Sequence, residues 1–402
     1  MRFASPVLLL LGPLGAFAAE PAPIHWKKTV IDRAFRSEGV AIADVNRDGK
    51  TDILVGDVWY EAPTWRVHRI RPGKDDYRQG DANVYSRCFN CWADDINADG
   101  WPDLIVVSFP GEACHWYENP RGQPGDWKQH EIWHSACNET PLYADLFGTG
   151  RRVLVMGWQP KGKLREGQMA WFAPGPDPTQ PWQMHPISEP SRPGQPVPGT
   201  FRYDHGLGIG DLNGDGRNDV IVTAGWWEQP ARDEGKPWTF HPANLGEPCA
   251  DMFTYDLDGD GLADVISSSA HNYGIWWHQQ RRSPAGQVTF VKHTLFPKLF
   301  SQSHALHCVD INGDGLKDLV TGKRWWAHGP KGDVAPNDPA VLYWFEATKG
   351  SDGMVRFVPH LIDDDSGIGT QFVVADFNGD RLPDVVISNK KGVFVFEQRR
   401  GP

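Results

Sequence analysis

Beyond its first 19 residues, the 402-residue sequence has no apolar run long enough to span a bilayer. Those 19 read as a secretory leader: Arg2 opens it, an apolar run extends from Val7 through Leu14, and Ala16-Phe17-Ala18 forms a small-x-small cleavage site. The remainder, 20–402, is therefore expected to be secreted or periplasmic, without a membrane span. Cysteine is scarce, at six residues, and the single Cys88-x-x-Cys91 pair has neither a second such pair nor histidines at zinc-finger spacing. An oxidising compartment permits disulfides, but the spacing does not fix a pairing, and buried thiols are the other reading. Basic residues are also short, 40 against 51 acidic, and the net charge of −11 argues against nucleic acid and anionic membranes as partners.

Much of that acidity comes from one nine-residue frame, Asp44-Val-Asn46-Arg-Asp48-Gly49-Lys-Thr-Asp52. It returns with Asp95, Asn97, Asp99 and Asp103, with Asp211, Asn213, Asp215 and Asp219, and with Asp256, Asp258, Asp260 and Asp264. Two further copies carry Asp310, Asn312, Asp314 and Asp318, and Asp376, Asn378, Asp380 and Asp384. Calcium takes hard oxygen ligands, and Asp or Asn at positions 1, 3 and 5 of a tight loop supplies them, with Gly at position 6 for the sharp turn and Asp at position 9 as a final carboxylate. Asx-rich hairpin turns need no acid at position 9, so six copies in register point to structural Ca2+. Arg381 replaces the position-6 Gly in the last loop, leaving five full sites. A seventh copy, Asp145-Leu-Phe-Gly-Thr-Gly150, keeps its place but loses the ligands and is expected to bind no ion.

A short apolar run precedes each loop and a β-branched run such as Ile53-Leu-Val55 or Val220-Ile-Val222 follows it, so the loop is the turn of a β-hairpin. A third run carries an aromatic pair, as in Trp59-Tyr60, and a fourth carries apolar-x-x-His, as in Trp65-Arg-Val-His68. Four strands repeated seven times predict an all-β, seven-bladed β-propeller occupying 20–402 as one domain. The last repeat has only three strands, whereas Trp26–Ile31 is an unpaired match to the fourth. That segment is expected to complete the last blade and close the ring, which removes exposed edges.

If the Asp loops mark one end of each hairpin, residues about six before the first Asp, and about 13 to 15 after it, lie roughly 20 Å away at the other end. Counting back gives Glu38, Phe89, Glu139, His205, Ala250, His304 and Thr370. Counting forward gives Asp57, Trp158, Trp226, His271, Lys323, Arg324 and Lys390. Acids, bases and aromatics thus converge on one ring. His68, His130, His185, His241, His293 and His360 recur at fourth-strand positions and read as structural, and His307 reads as a core residue. His205 and His304 fit neither class. A divalent metal held by His205, His271 and His304 is a further expectation for this face.

The chain resembles FG-GAP or VCBS repeat proteins over nearly its whole length after the leader. Two stretches, Asp204-His-Gly-Leu-Gly through Trp226-Trp-Glu-Gln-Pro230 and Ser303-His-Ala-Leu-His-Cys-Val-Asp310 through Thr321-Gly-Lys-Arg-Trp-Trp326, are similar to the propeller of aldos-2-ulose dehydratases. Those enzymes eliminate water from keto-sugars such as 1,5-anhydrofructose. The resemblance implies a carbohydrate lyase and covers the propeller only, so the isomerase step of the fungal enzymes, which carry cupin and lectin-like parts, is not implied. Such an elimination needs a base near neutral pKa and a cation for the enolate oxygen. His205 or His304 would be the base, Arg324 or Lys323 the cation, and Tyr203 or Glu139 the proton donor, with Trp158 and Trp226 against the sugar. Glu38, His271, Asp57 and Lys390 complete the candidate ring. A non-catalytic propeller that binds glycan or protein on the same face is the competing reading.

Overall fold

The computed structural model describes residues 23–78, 84–137 and 139–401, and the leader assigned to 1–19 lies outside them. The described residues form seven four-stranded antiparallel sheets. No helix among them is long and apolar enough to cross a membrane. Blades 1 to 6 each follow chain order: 41–69, 90–133, 142–186, 207–242, 253–294 and 306–363. Blade 7 draws on both ends of the chain. Val373–Ala375, Asp384–Asn389 and Gly392–Arg400 supply three strands, and Ile24–Asp32 is the fourth, running from Ile24 opposite Arg400 to Val30 opposite Phe394.

The core lies between blades. Leu54 of blade 1 shares a cluster with Leu104 and Val106 of blade 2, while Ile105 of blade 2 meets Leu154 and Phe172 of blade 3. Val155 then meets Val220 and Trp227 of blade 4, Ile221 meets Val265 and Trp276 of blade 5, and Ile266 meets Leu319 and Phe345 of blade 6. Val320, Val386, Phe394 and Ile53 join blades 6, 7 and 1. Neighbouring residues of a second strand therefore face opposite blades, which is why these strands are continuous β-branched runs and not alternating ones. Each large side chain so buried contributes about 1.5–3 kcal/mol.

A second recurring unit stiffens the outer strands. Trp59 stacks on His68, Trp116 on His130, Trp226 on His241 and Trp344 on His360, with ring centroids 4.2, 4.3, 4.2 and 4.5 Å apart. Each of these histidines also hydrogen-bonds a third-strand glutamate, as His130 does with Glu118 at 2.9 Å. The partners lie directly opposite one another in the ladder, for example Trp116 against His130.

The Asp loops fold through their own backbone. Asp44 accepts the N–H groups of Asp48 and Gly49 at 2.9 Å, and Asp145 does the same for Thr149 and Gly150 in the degenerate loop. Position-1 Asp is thus needed for the turn whether or not other ligands are present. Position-9 Asp spans two strands: Asp52 accepts Val45 N–H with one oxygen and Ala62 N–H with the other. Arg381 adopts φ 68 and donates its N–H to Asp376 at 2.9 Å, the same bond that Gly49 makes. The expected defect in the last loop is therefore absent from its backbone, at a cost of about 1–2 kcal/mol for a left-handed non-glycine residue. The groups Asp256, Asp258, Asp264 and Asp376, Asp380, Asp384 each bring three oxygens within 4.8 Å of one another, which suits a hard cation. All six cysteines are free thiols.

Candidate active site

A cavity of 470 Å³ opens at the end of the hairpins away from the Asp loops. First and second strands of three to six residues separate the two ends by roughly 10–20 Å. The residues just before the first strands and just after the second strands supply the lining: Glu139 and His205 from the former, His271 and Arg324 from the latter. One wall is aromatic. Tyr85, Phe89 and Phe109 pack mutually at 5.4–5.7 Å, and Tyr203 bridges Phe109 at 5.9 Å to Phe201 at 5.6 Å.

Opposite charges meet at the cavity floor. His205 Nδ1 donates to the Tyr203 carbonyl at 2.8 Å, so that whenever the ring is neutral its lone pair sits on Nε2. That atom faces His304 Nε2 at 3.0 Å. Glu139 Oε2 lies 3.4 Å from His205 Nε2, 3.3 Å from His304 Nε2 and 3.5 Å from Arg324 Nη1. Burial acts to raise the Glu139 carboxyl, but the charges and hydrogen bonds of His205 and His304 prevail and hold it well below the usual carboxylate range. His304 is pushed well down, first by burial and then by the Arg324 charge. Arg324 is 3% exposed, sits over the Phe89 ring at 5.5 Å, and its Nη2 has no hydrogen-bond partner among the described residues.

The residues expected on this face divide. Glu139, His205, Tyr203, Arg324 and His271 line the cavity, and His304 stands directly behind His205. Lys323 does not reach it: its ammonium is buried, donates to Ser301 Oγ at 2.8 Å and the Ala335 carbonyl at 2.7 Å, and is pushed down to about 8 by burial. Trp226 is likewise elsewhere, stacked on His241 in the blade wall. The turn before it spans only residues 223–224, so counting 15 residues forward overshoots into the third strand. Trp158 ends a second strand and packs against Trp133 and His134 at 5.5 and 5.4 Å. Asp57 is enclosed by Arg71 at 2.6 Å and Arg87 at 3.1 Å. Glu38 is buried against Ser86, and Lys390 donates to the Trp326 carbonyl at 2.8 Å beside Tyr85. Glu139, being ionised, is no proton donor. The three histidines expected around one metal lie close, the His205 ring centroid 4.7 Å from His271 and 4.8 Å from His304, while their ligand atoms fall into two groups, His205 and His304 with Glu139, and His271 with His328 and Asp333.

Tyr85, Phe109, Phe201, Asp204 and His328 also line the cavity and were not singled out from the sequence: Phe109 falls inside the forward count, 14 residues after Asp95, and the other four lie outside the counted positions. Asp204 has its carboxyl raised by burial despite a bond from the Phe201 N–H.

Residues 205–235 match the FG-GAP repeat, and residues 256–321 match the FG-GAP-like repeat. These two spans carry the FG-GAP repeats. The first match begins at His205 and spans the Asp loop of blade 4, and the second runs from the Asp loop of blade 5 into the second strand of blade 6. FG-GAP sequence thus joins the two faces, with the cavity histidines His205, His271 and His304 inside the matched spans. No curated protein is matched by the sequence. Among solved structures, the chain is similar to BBS1N from its complex with ARL6DN at 11% identity and TM-score 0.47, covering 92% of this chain and 96% of that one. It is also similar to the exotype rhamnogalacturonan lyase YesX, at 13% identity and TM-score 0.42 over 96% and 74% of the two chains. A Bacillus licheniformis rhamnogalacturonan lyase gives 12% and 0.40 over 92% and 72%.

Proposed function

We propose that this chain is an exported carbohydrate lyase, a dehydratase in the simplest case, that eliminates a leaving group next to a sugar carbonyl in the aromatic cavity. The observation that carries the reading is the convergence on one cavity of an imidazole of fixed tautomer, an ionised glutamate and a nearly buried guanidinium with an unpartnered Nη2. A cavity of 470 Å³ falls within the size of small-ligand sites, and its aromatic wall suits the C–H faces of a sugar. His205 Nε2 takes the proton α to the carbonyl. His304 shares its own proton with that nitrogen in the free site and turns it onto Glu139 Oε2 when His205 becomes charged. Glu139 then stabilises the imidazolium, and Arg324 donates to the carbonyl oxygen as it becomes an enolate. Collapse of the enolate breaks the adjacent C–O bond, and Tyr203 protonates the departing hydroxyl to release water. Solvent then takes the proton from His205 and returns one to Tyr203.

The Asp loops hold Ca2+ on the opposite face, where it stabilises the turns and stands too far from the cavity to act on substrate. Export rests on the leader-like segment 1–19. The test is a screen of keto-sugars, 1,5-anhydrofructose first, and uronate polysaccharides for the absorbance of an unsaturated product. His205→Ala and Arg324→Gln are each expected to lower turnover by about 10²–10⁴ with the melting temperature retained. Glycan binding without product from any of these substrates would replace the lyase by a binding propeller.

A further inference from the structure

The connection between the second and third strands of blade 3 spans residues 159–167, at the same end of the hairpins as His271 and Arg324. It carries Lys161, Lys163 and Arg165 against one acid, Glu166. Arg202 holds it in place, donating its N–H to the Leu164 carbonyl and its Nη2 to the Lys163 carbonyl, both at 3.1 Å, while the Arg165 guanidinium lies over the Phe201 ring at 4.3 Å. A pocket of 320 Å³ opens beside this connection, with Gly111, His134, Gln159, Lys161, Lys163 and Arg202 in its walls and no acid among its lining residues. The acids adjoining it in sequence are engaged elsewhere: Glu112 accepts from Ser108 Oγ and Glu166 pairs with Lys163 Nζ, each at 2.9 Å.

Two polar atoms of these walls, Arg202 Nε and Gln159 Oε1, are buried and have no hydrogen-bond partner among the described residues, a condition that buried polar groups rarely keep unless a ligand or water meets it. Gln159 spends its Nε2 on the Thr200 carbonyl, which leaves its oxygen to accept from a hydroxyl. Gly111 makes room for the guanidinium. It has φ 87, and a Cβ there would meet Arg202 Nε at 2.5 Å, so only glycine fits this turn against Arg202. Positive charge beside a single acceptor matches a ligand group that carries anionic oxygens and a hydroxyl together, as a sugar acid does and inorganic sulfate does not.

The pocket adjoins the aromatic cavity. Phe109 lines the cavity and Gly111 the pocket, while Phe201 and Tyr203 line the cavity and Arg202, between them, the pocket. The two hollows thus share a wall one or two residues thick, about 4–7 Å along the backbone. We propose that this pocket is an anion subsite for the carboxylate of a sugar acid joined to the sugar in the cavity, so that the substrate class is an acidic oligosaccharide. The inference rests on the reading of the aromatic cavity as a sugar site, and needs none of the chemical steps.

The experiment uses the full chain carrying His205→Ala, so that turnover does not consume the probe. Calorimetric titration compares trisaccharides of galacturonate and of mannuronate with their carboxyl-reduced counterparts and with sodium sulfate. At least one acidic trisaccharide is expected to bind about 10-fold or more tightly than its reduced counterpart, and more tightly than sulfate. Arg202→Gln is expected to lower that affinity by about 10-fold. Lys161→Ala, at an exposed position that leaves the fold intact, is expected to lower it by about 3-fold. Neither should move the affinity for the reduced trisaccharide. Equal affinity for acidic and reduced trisaccharides, an acid preference unchanged in both variants, or sulfate binding as tightly as the acidic sugar would overturn the subsite and leave the cavity a sugar site. Binding of no trisaccharide would overturn both. Failure of the lyase alone would show in the chain with His205 intact, as acid preference without product.

Discussion

At the scale of single residues, histidine does two kinds of work here, and partners separate them. His130, like His68, His241 and His360, has an indole against its face and a carboxylate on its Nε2; His205 has a backbone carbonyl on Nδ1 and a second imidazole on Nε2. The first arrangement fixes a ring between two strands. The second couples the ring to another titratable group at the cavity. Removal of a structural ring should therefore cost stability in proportion to its burial. The His130 side chain is 5% exposed and that of His360 is 40% exposed. His130→Ala should destabilise the fold by about 1–2 kcal/mol through lost stacking and the Glu118 bond left unmade, and His360→Ala by less. Urea unfolding of the two variants gives the comparison, and equal losses would show that burial of the ring adds nothing to the stack and glutamate bond that both share.

At the scale of the element, the Asp loop and its hairpin were legible because everything that defines them lies within nine consecutive residues. The cavity was legible where it borrows that frame, at Glu139, His205, His304 and Arg324. It was illegible at Phe201, His328 and Asp333, whose connections differ in length from blade to blade, passed over at Phe109, which the count reaches 14 residues after Asp95, and misread at Trp226, where a two-residue turn shifts the count. The position-9 carboxylates also carry a consequence for pH. Burial raises Asp52, Asp219, Asp264 and Asp384 to about 6 and Asp103 to about 7, against the lowering effect of two backbone N–H bonds each. Without a cation, the folded state then holds more protons than the unfolded chain between about pH 4 and 7, so stability in EDTA should fall as pH rises through that window. A bound Ca2+ would favour the charged form and reverse the slope. Calorimetry should show a higher melting temperature at pH 5 than at pH 7.5 in EDTA, and a larger gain from calcium at pH 7.5. A melting temperature indifferent to EDTA at pH 7.5 would remove calcium from these loops.

At the scale of the whole molecule, no blade has a core of its own, so each sheet is stable only between two others. Blade 7 is the place where this dependence is most exposed, because its outer strand comes from the other end of the chain. Ile24, Trp26 and Ile31 of that strand pack against the cluster that joins blades 6, 7 and 1. Lys28 adds a tie to blade 6, its ammonium 2.8 Å from both carboxylate oxygens of Asp363. A chain beginning at Arg33 would lose these contacts and would leave the strand Gly392–Arg400 as a free edge with unpaired backbone groups, a template for pairing with another copy. Such a chain is expected to melt at lower temperature and to elute as higher oligomers in size-exclusion chromatography, and a synthetic peptide covering residues 23–32 should restore both properties when added in excess. The peptide arm separates the edge from general loss of mass, since only a segment able to occupy the vacated ladder can rescue. An unchanged elution volume and melting temperature in the shortened chain would mean that the three remaining strands hold the ring without the fourth.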